Sequence, residues 1–439
     1  MPATAVILAA GFGSRMKSSL PKTLHQIAGQ PMLSHLLQNC AAVFDEIVVV
    51  VGPGMAAVAA LAAPHPVVVQ QERLGTAHAA LQAADRFGNG EVAILYADNP
   101  LISQDTLRRL LARRAAGDVG LVLLAMRPAD PLRYGRVIGG DGLVDRVVEY
   151  VDATDAERAE GLCNAGVLCA DAGRMRHWLG AVGKANTAGE YYLTDVVRLA
   201  RSDGVRVAAV EGPADELRGI NSRAELAEAE ATLQNRLRQA ALDAGVGMTA
   251  PETVFLCTDT ALSPDVTIEP NVFFGPGVRV ERDVRIRAFS HLEGCHVLAG
   301  AVIGPFARLR PGTVVGPAAH VGNFVELKAT HLGAGAKVNH LSYLGDSDVG
   351  AGTNVGAGTI TCNYDGFDKH RTRIGKNVFV GSNAVLVAPV TIGDSAFVTA
   401  GSVITEDVEA EAMVFGRARQ VQKPGRATVF RSVRVGRKD

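Results

Sequence analysis

Two rhythms of apolar and polar positions divide this chain. Across its first half, short β-rich runs at residues 5–10, 46–51, 67–70, 92–97 and 120–126 alternate with helical stretches at 32–40, 76–84 and 104–116. That alternation predicts a doubly wound α/β domain with a mainly parallel sheet and helices on both faces. Ligands in such sheets bind beyond the C-terminal strand ends, which directs attention to the ends of the first strand and of the 92–97 strand. In the second half the count changes to six. From Ile268 a large apolar residue recurs at Phe274, Val280, Ile286, Leu292 and Leu298, resumes one residue early at Ile303, Leu309, Val315, Val321 and Leu327, and continues through Leu332, Val338, Leu344, Val349 and Val355. It closes with Ile374, Val380, Leu386, Ile392, Val398 and Ile404. A period of six fits neither helix nor alternating strand; it predicts a parallel β-helix, each hexad one flat side of a triangular coil with its large residue pointing to the axis.

The rhythm breaks between Thr361 and Ile374, where a polar and aromatic segment that includes Asn363, Tyr364, Asp365 and His370 reads as a loop leaving the prism. Between the halves, residues 222–244 predict a helix that opens on a capping box of Ser222 and Glu225 and ends before Gly245 and Gly247. Its stripe of Leu226, Leu233, Leu237 and Ala241 suits a lever that sets the sheet domain on the end of the prism. The resulting divisions are a sheet domain at 1–221, a linker helix at 222–247 and a prism with a basic tail at 248–439.

Composition narrows the classes. Lys and Arg number 44 against 45 Asp and Glu, a balance that argues against nucleic acid as a general partner. No apolar run approaches the roughly 18 residues needed to span a bilayer, and the opening MPATAVILAAG lacks the basic start of a secretion signal. Six cysteines without a C-x-x-C pair agree with a reducing, cytoplasmic setting and oppose a cysteine metal site. Only the tail departs from neutrality, with Arg417, Arg419, Lys423, Arg426, Arg431, Arg434, Arg437 and Lys438.

Two strand ends carry candidate chemistry. At the first, Leu8 runs into Gly11-Phe12-Gly13-Ser14-Arg15-Met16, with Pro21-Lys22 soon after; backbone N–H groups there can cradle phosphate oxygens while Arg15 and Lys22 neutralise charge. The pattern is neither a P-loop nor the dinucleotide fingerprint. At the second, Tyr96-Ala97-Asp98-Asn99-Pro100 places a carboxylate at a strand end, suited to a hard cation such as Mg²⁺, and Asn221 offers a second oxygen. In the hexad half, His291, His296, His320, His331, His340 and His370 are all candidate bases, and spacing does not choose among them. Arg310 and Lys328 stand one coil apart and together suit a phosphate.

The order LAAGxGxRM, LPK, LGTAHA, YxDxPL, YGR, VEYVDA, C-N-x-G, GIN and then hexads resembles the bacterial bifunctional N-acetylglucosamine-1-phosphate uridyltransferase/glucosamine-1-phosphate acetyltransferase family. The likeness covers nearly the whole chain and is densest at ARLRPGT, HVGNFVELK, NHLSYLGDSDVGAGTNVGAGTITCNYDG and VFVGSNAVLVAPV. It implies a nucleotidyltransferase domain followed by a left-handed β-helix. It also implies synthesis of UDP-N-acetylglucosamine, a cell-wall precursor, by acetyl transfer from acetyl-CoA to glucosamine 1-phosphate and then uridylyl transfer from UTP with release of pyrophosphate. By this resemblance Leu8, Gly11, Gly13, Arg15 and Lys22 hold the nucleotide, and Gln70, Gly75 and Thr76 read uracil beside Tyr96. Asp98 and Asn221 hold Mg²⁺, and Gly135, Glu149 and Asn164 orient the sugar.

In the second half the resemblance selects His340 as the general base. Arg310 and Lys328 hold the sugar phosphate, and Tyr343 and Asn354 line the sugar pocket. Asn363 and Tyr364 stand where that pocket meets acetyl-CoA, whose other contacts are Ala357, Ser382, Ala400 and Arg417. A homotrimer follows from the same resemblance, and the spread of these residues over different faces of the prism predicts sites that form between subunits. Phe12, Ser14, Ala97, Asn99 and Ala165 depart from the family's usual residues and bear on nucleotide and sugar fit. The competing expectation is a nucleotidyltransferase whose β-helix serves assembly alone; a non-enzymatic scaffold is opposed by Arg15, Lys22, Asp98 and Asn221.

Overall fold

The chain was analysed as a computed structural model, which describes residues 2–131 and 133–435. Two compact units, Met1–Leu237 and Arg238–Asp439, divide it within the helix Arg223–Asp243. No helix among the described residues is long and apolar enough to cross a membrane.

The first unit is built on nine strands: β1 (Ala3–Leu8), β2 (Glu46–Val51), β3 (Val67–Val69), β4 (Glu91–Tyr96), β5 (Leu121–Met126), β6 (Arg136–Gly140), β7 (Leu143–Val148), β8 (Cys163–Asp171) and β9 (Val207–Glu211). They lie in the order β3-β2-β1-β4-β8-β5-β9-β7-β6. All six residues of β1 are buried, as an uninterrupted Ala-Thr-Ala-Val-Ile-Leu run demands when helices cover both faces. The predicted strands and helices appear within a few residues of their expected limits. The sheet is less parallel than the alternation implied. β8 enters antiparallel between β4 and β5, and β6 with β7 forms an antiparallel hairpin whose polar outer face hid it from the sequence pattern. The helix Arg223–Asp243 opens on the predicted capping box. Ser222 Oγ accepts from the Glu225 N–H at 3.2 Å, and Glu225 Oε2 accepts from the Ser222 N–H at 2.9 Å. Leu226 and Leu233 pack with Ile27, Met32, Leu101 and Ile220.

The second unit is the hexad prism, a left-handed parallel β-helix of three sheets with ten, eight and eight strands. Along one sheet Ile268, Ile286, Ile303, Val321 and Val338 stand in register, one per coil. Every counted apolar position is buried except Leu298. There the expected phase is wrong by one residue. Val297 is the fully buried residue, paired with Val280, so the shortened side runs from Leu292 to Val297 and the regular count of six resumes from it. Gly294 makes that tight side possible: its φ is +52°, and a Cβ on it would lie 2.9 Å from Pro311 Cα. The glycines that follow large residues have a packing cause. A Cβ on Gly381 would lie 2.4 Å from Ala400 N, so only hydrogen lets the next coil settle.

The break in the rhythm is a loop between the strands Ile360–Cys362 and Thr372–Ile374. Asp365 gathers it, accepting from the Phe367 and Asp368 N–H groups at 2.8 and 2.7 Å and facing His370 Nε2 at 2.7 Å. Those bonds hold the Asp365 carboxyl far below its usual range.

Candidate active sites

At the end of the first strand a cavity of about 310 Å³ opens in the sheet unit. Leu8, Gly11, Lys22, Gln70, Gly75, Thr76, Tyr96 and Asp98 line it, so eight residues named from sequence converge on one space. A Cβ on Gly11 would meet nothing within 4 Å, which leaves its backbone open to a ligand. Gly13 has a different reason to be glycine. Its φ is +80°, and a Cβ there would lie 2.6 Å from Lys22 Cβ, so the stem of Lys22 crosses directly over it. The Lys22 ammonium contacts the Asp98 carboxylate and lies 3.0 Å from Asn221 Oδ1. Two protein oxygens thus converge on one cation, the donor set that Mg²⁺ also favours. Arg15 is exposed on the short turn Ser14–Met16 and does not line the cavity.

Beside the cavity, Gly135, Glu149 and Asn164 form a second group. The Asn164 N–H donates to the Gly135 carbonyl at 2.8 Å, and a Cβ on Gly135 would lie 3.4 Å from Glu149 Oε2. Burial pushes the Glu149 carboxyl up from its usual value, partly opposed by the Thr194 hydroxyl that donates to it at 3.0 Å. The neighbouring Leu193 N–H donates to Thr76 Oγ1 at 2.9 Å, tying this group to the cavity wall. Desolvation likewise raises the Tyr96 phenol. Tyr96 lies so close to Gly166 that a Cβ there would stand 2.2 Å from its ring.

Sequence reasoning missed three residues here. Arg73 lines the cavity and donates from Nε to the Ala10 carbonyl at 2.8 Å; only its position three before Thr76 in the same loop hinted at it. Thr23 lines the cavity with its hydroxyl buried and unpartnered among the described residues. Asn99, noted only as a departure, is 2% exposed and donates to the Leu217 carbonyl at 2.7 Å. Together with the bond from the Ile220 N–H to the Asp98 carbonyl at 2.9 Å, it brings the segment carrying Asn221 against Asp98.

In the prism, the predicted residues gather along one corner between two sheets. Arg310 and Lys328 stand on neighbouring coils of one sheet, where Leu309 pairs with Leu327. Each faces a carboxylate: Arg310 Nη1 reaches Glu326 at 2.9 Å, and Lys328 Nζ reaches Asp346 at 2.8 Å. Asn363 Nδ2 donates to the same Asp346 at 2.5 Å. Burial works against the Asp346 charge, but the hydrogen bonds from Lys328 and Asn363 prevail and lower its pKa. Gly345 is the floor of this group, since a Cβ there would lie 2.4 Å from the Tyr343 hydroxyl and 2.8 Å from Asn363 Nδ2.

His340 lies on the adjoining sheet, which also carries Asn354. Its Nδ1 is 2.7 Å from Oδ1 of Asn323, a partner that the sequence reading did not name although it stands about one coil back in HVGNFVELK. From His340 the corner continues as a column. The Gly358 N–H donates to the His340 carbonyl, the Asn383 N–H to the Ala357 carbonyl and the Gly401 N–H to the Ser382 carbonyl, at 3.3, 2.7 and 2.8 Å. Ala357, Ser382 and Ala400 are therefore stacked in line, and the Arg417 side chain comes within 3.8 Å of a Cβ placed on Gly401. Three coils separate His340 from Ala400, about 14 Å. Tyr364 is exposed on the loop nearby in sequence, while His370 is engaged by Asp365. Of the basic tail, Arg437 and Lys438 lie outside the described residues.

Residues 5–155 match the MobA-like NTP transferase domain family, and residues 371–406 match the hexapeptide repeat of succinyl-transferase. The bifunctional protein GlmU of Gluconacetobacter diazotrophicus is 67% identical over 429 residues, covering 97% of this chain and 93% of that protein. That of Acidiphilium cryptum is 64% identical, with 98% of each chain covered, and that of Granulibacter bethesdensis is 63% identical, covering 98% of this chain and 96% of that one. At that identity across both the cavity domain and the prism, the chain belongs to the bifunctional GlmU family of uridyltransferase and acetyltransferase enzymes.

Proposed function

We propose that the cavity of the sheet unit is the uridyl-transfer site and the corner column at His340 the acetyl-transfer site, with domains assigned as 1–221, 222–247 and 248–439. The observation that carries the reading is the convergence, in separate units, of Lys22 with Asp98 and Asn221 and of His340 with Asn323 and the Ala357 column.

In the first site, in-line attack by a sugar phosphate on the α-phosphorus of UTP asks the protein mainly for position and charge neutralisation. Lys22 supplies the cation, the Gly11 backbone supplies an N–H, and Arg15, on the exposed turn Ser14–Met16, adds charge for the triphosphate. Asp98 and Asn221 would hold Mg²⁺, which when bound supplies charge neutralisation for the triphosphate. Gln70, Gly75 and Thr76 form the uracil end, with Leu8 and Tyr96 as walls; Gly135, Glu149 and Asn164 hold N-acetylglucosamine.

In the second site, the amine of glucosamine 1-phosphate attacks the thioester of acetyl-CoA and must shed a proton as the bond forms. With Nδ1–H donated to Asn323, the His340 Nε2 lone pair is the base. Arg310 and Lys328 take the sugar phosphate, Tyr343 and Asn354 the sugar. Acetyl-CoA runs along Ala357, Ser382 and Ala400 toward Arg417, with Asn363 and Tyr364 at its reactive end. The stacked rings of Phe289, Phe306 and Phe324 stand 45–55% exposed along one edge of the prism, surface that suits burial against further copies in a homotrimer. The same reading keeps the enzyme in the cytoplasm.

Lys22→Ala should abolish uridyl transfer and spare acetylation, and His340→Ala should do the reverse. Absence of CoA thiol release by wild-type protein given glucosamine 1-phosphate and acetyl-CoA would leave a nucleotidyltransferase with a structural prism.

A further inference from the structure

One polar network at the cavity ties the uracil-end residues Gln70 and Gly75 to His78, which has no part in the chemistry above. Gln70 is 3% exposed and lines the cavity, and its N–H donates to the Val51 carbonyl at 2.8 Å. Its side-chain Nε2 lies 3.1 Å from the Gly75 carbonyl and 3.1 Å from His78 Nδ1. A carbonyl only accepts, so the group facing Gly75 must be the NH₂ end and the amide cannot be turned over. With His78 Nδ1 accepting as well, both N–H bonds of that group are engaged inside the protein. Only Oε1 remains for a ligand, and among the described residues nothing donates to it.

His78 is built to stay where it is. It lies on the helix Thr76–Leu81, whose N-terminal Gly75 fits against the Tyr191 backbone so closely that a Cβ would stand 2.5 Å from its carbonyl oxygen. The imidazole stacks on the Tyr191 ring at 5.9 Å, with the Lys184 ammonium 4.8 Å from that ring's centre. Its far nitrogen, Nε2, lies 3.2 Å from the Gln82 amide nitrogen. A neutral imidazole has one accepting nitrogen. Gln70, buried and bonded to Gly75 at 3.1 Å, claims it at Nδ1; Gln82 is less buried, and turning its amide to accept from Nε2–H costs it only the 3.2 Å bond to the His78 carbonyl.

We infer that His78 is a positioning residue for nucleobase choice: by accepting the second N–H of Gln70, it leaves the cavity facing an acceptor alone. An acceptor selects uracil, whose N3 carries a proton, and opposes cytosine, whose N3 carries a lone pair. The inference rests on the reading of Gln70 as the uracil contact and deepens it. Without His78 the second N–H of Gln70 loses its partner while the first stays on Gly75; that N–H is then available to cytosine N3, and the discrimination falls.

The test is uridyl transfer by the full-length chain with UTP and with CTP, read as the ratio of the two kcat/KM values; acetyl transfer by the same preparation reports folding. His78→Ala should lower the UTP-to-CTP ratio at least about tenfold, through a higher KM for UTP and a gain with CTP. His78→Asn, whose Oδ1 accepts in place of Nδ1, should restore most of the ratio, an effect that mere loss of packing does not produce. His78→Leu, close in size and without an acceptor, should behave as His78→Ala does and serves if the alanine variant fails to fold. An unchanged ratio in the folded Ala or Leu variant, while Gln70→Ala lowers it, overturns the role of His78 alone. An unchanged ratio in Gln70→Ala overturns the uracil reading of Gln70 and the inference with it.

Discussion

Asn323 and His340 face one another across neighbouring coils of the prism, Oδ1 2.7 Å from Nδ1, with their backbones paired in register. The contact fixes which nitrogen carries the proton and leaves Nε2 as the base. Asn323→Ala should therefore lower the kcat of acetyl transfer about tenfold, less than the ~10²–10⁴-fold expected of His340→Ala, because a freed imidazole still samples the working tautomer. Uridyl transfer should not change in either variant. CoA thiol release measured beside pyrophosphate release checks both; equal losses in the two variants would make Asn323 part of the chemistry itself.

Asn99 is the second positioning group. Its amide bond to the Leu217 carbonyl, beside the bond from Ile220 to Asp98, sets the separation between Asp98 and Asn221. Asn99→Ala leaves a buried carbonyl unpaired, a cost of about 1–3 kcal/mol in stability. It should also raise the Mg²⁺ concentration needed for half-maximal uridyl transfer several-fold, while acetylation is unaffected. A magnesium titration decides between this and a purely structural role, in which stability falls but the midpoint stays.

The phase of the prism gives a sharper stability test. Val297 is fully buried and Leu298 only partly so, although an unbroken count of six puts Leu298 on the axis. Val297→Ala removes two buried methyl groups and opens a cavity, and should cost about 2 kcal/mol. Leu298→Ala, despite the larger truncation, should cost under about 1 kcal/mol. Denaturant unfolding of the two variants side by side reads the difference; the reverse order would restore the unbroken count.

That slip shows how far a sequence carries. The hexad rhythm predicted the prism because every coil repeats the same burial requirement, so the pattern is reinforced many times over. One short side leaves only a shift of one residue, and Val297 and Leu298 are equally apolar, so nothing local chooses between them. The capping box was legible because Ser222 and Glu225 are three residues apart and bond each other. Asn323 and His340, Lys22 and Asn221, or Asn99 and Leu217 meet only through the fold. For these, resemblance supplied some names, but the pairings came from the structure. The antiparallel insertion of β8 was illegible for a related reason: its stretch 165–170 is apolar and buried throughout, as a buried strand of either direction would be.

Asp346 yields a prediction in pH. It accepts from Lys328 and Asn363, and these bonds hold its pKa below the ordinary 3.8 against the opposing effect of burial. A carboxyl whose folded pKa is depressed contributes stability that is fully present above the unfolded value and is lost as pH falls through the folded one. Asp346→Asn should thus destabilise the prism by roughly 1–3 kcal/mol at neutral pH, since it removes a charge-assisted bond and leaves the Lys328 ammonium without its counterion. The difference between wild type and variant should stay constant from neutral pH down to mildly acid conditions, then shrink below the ordinary carboxylate value as wild-type Asp346 takes up a proton. Denaturant unfolding at a series of pH values measures it. A gap that closes already near neutrality would mean that another group, not Asp346, holds Lys328 in place.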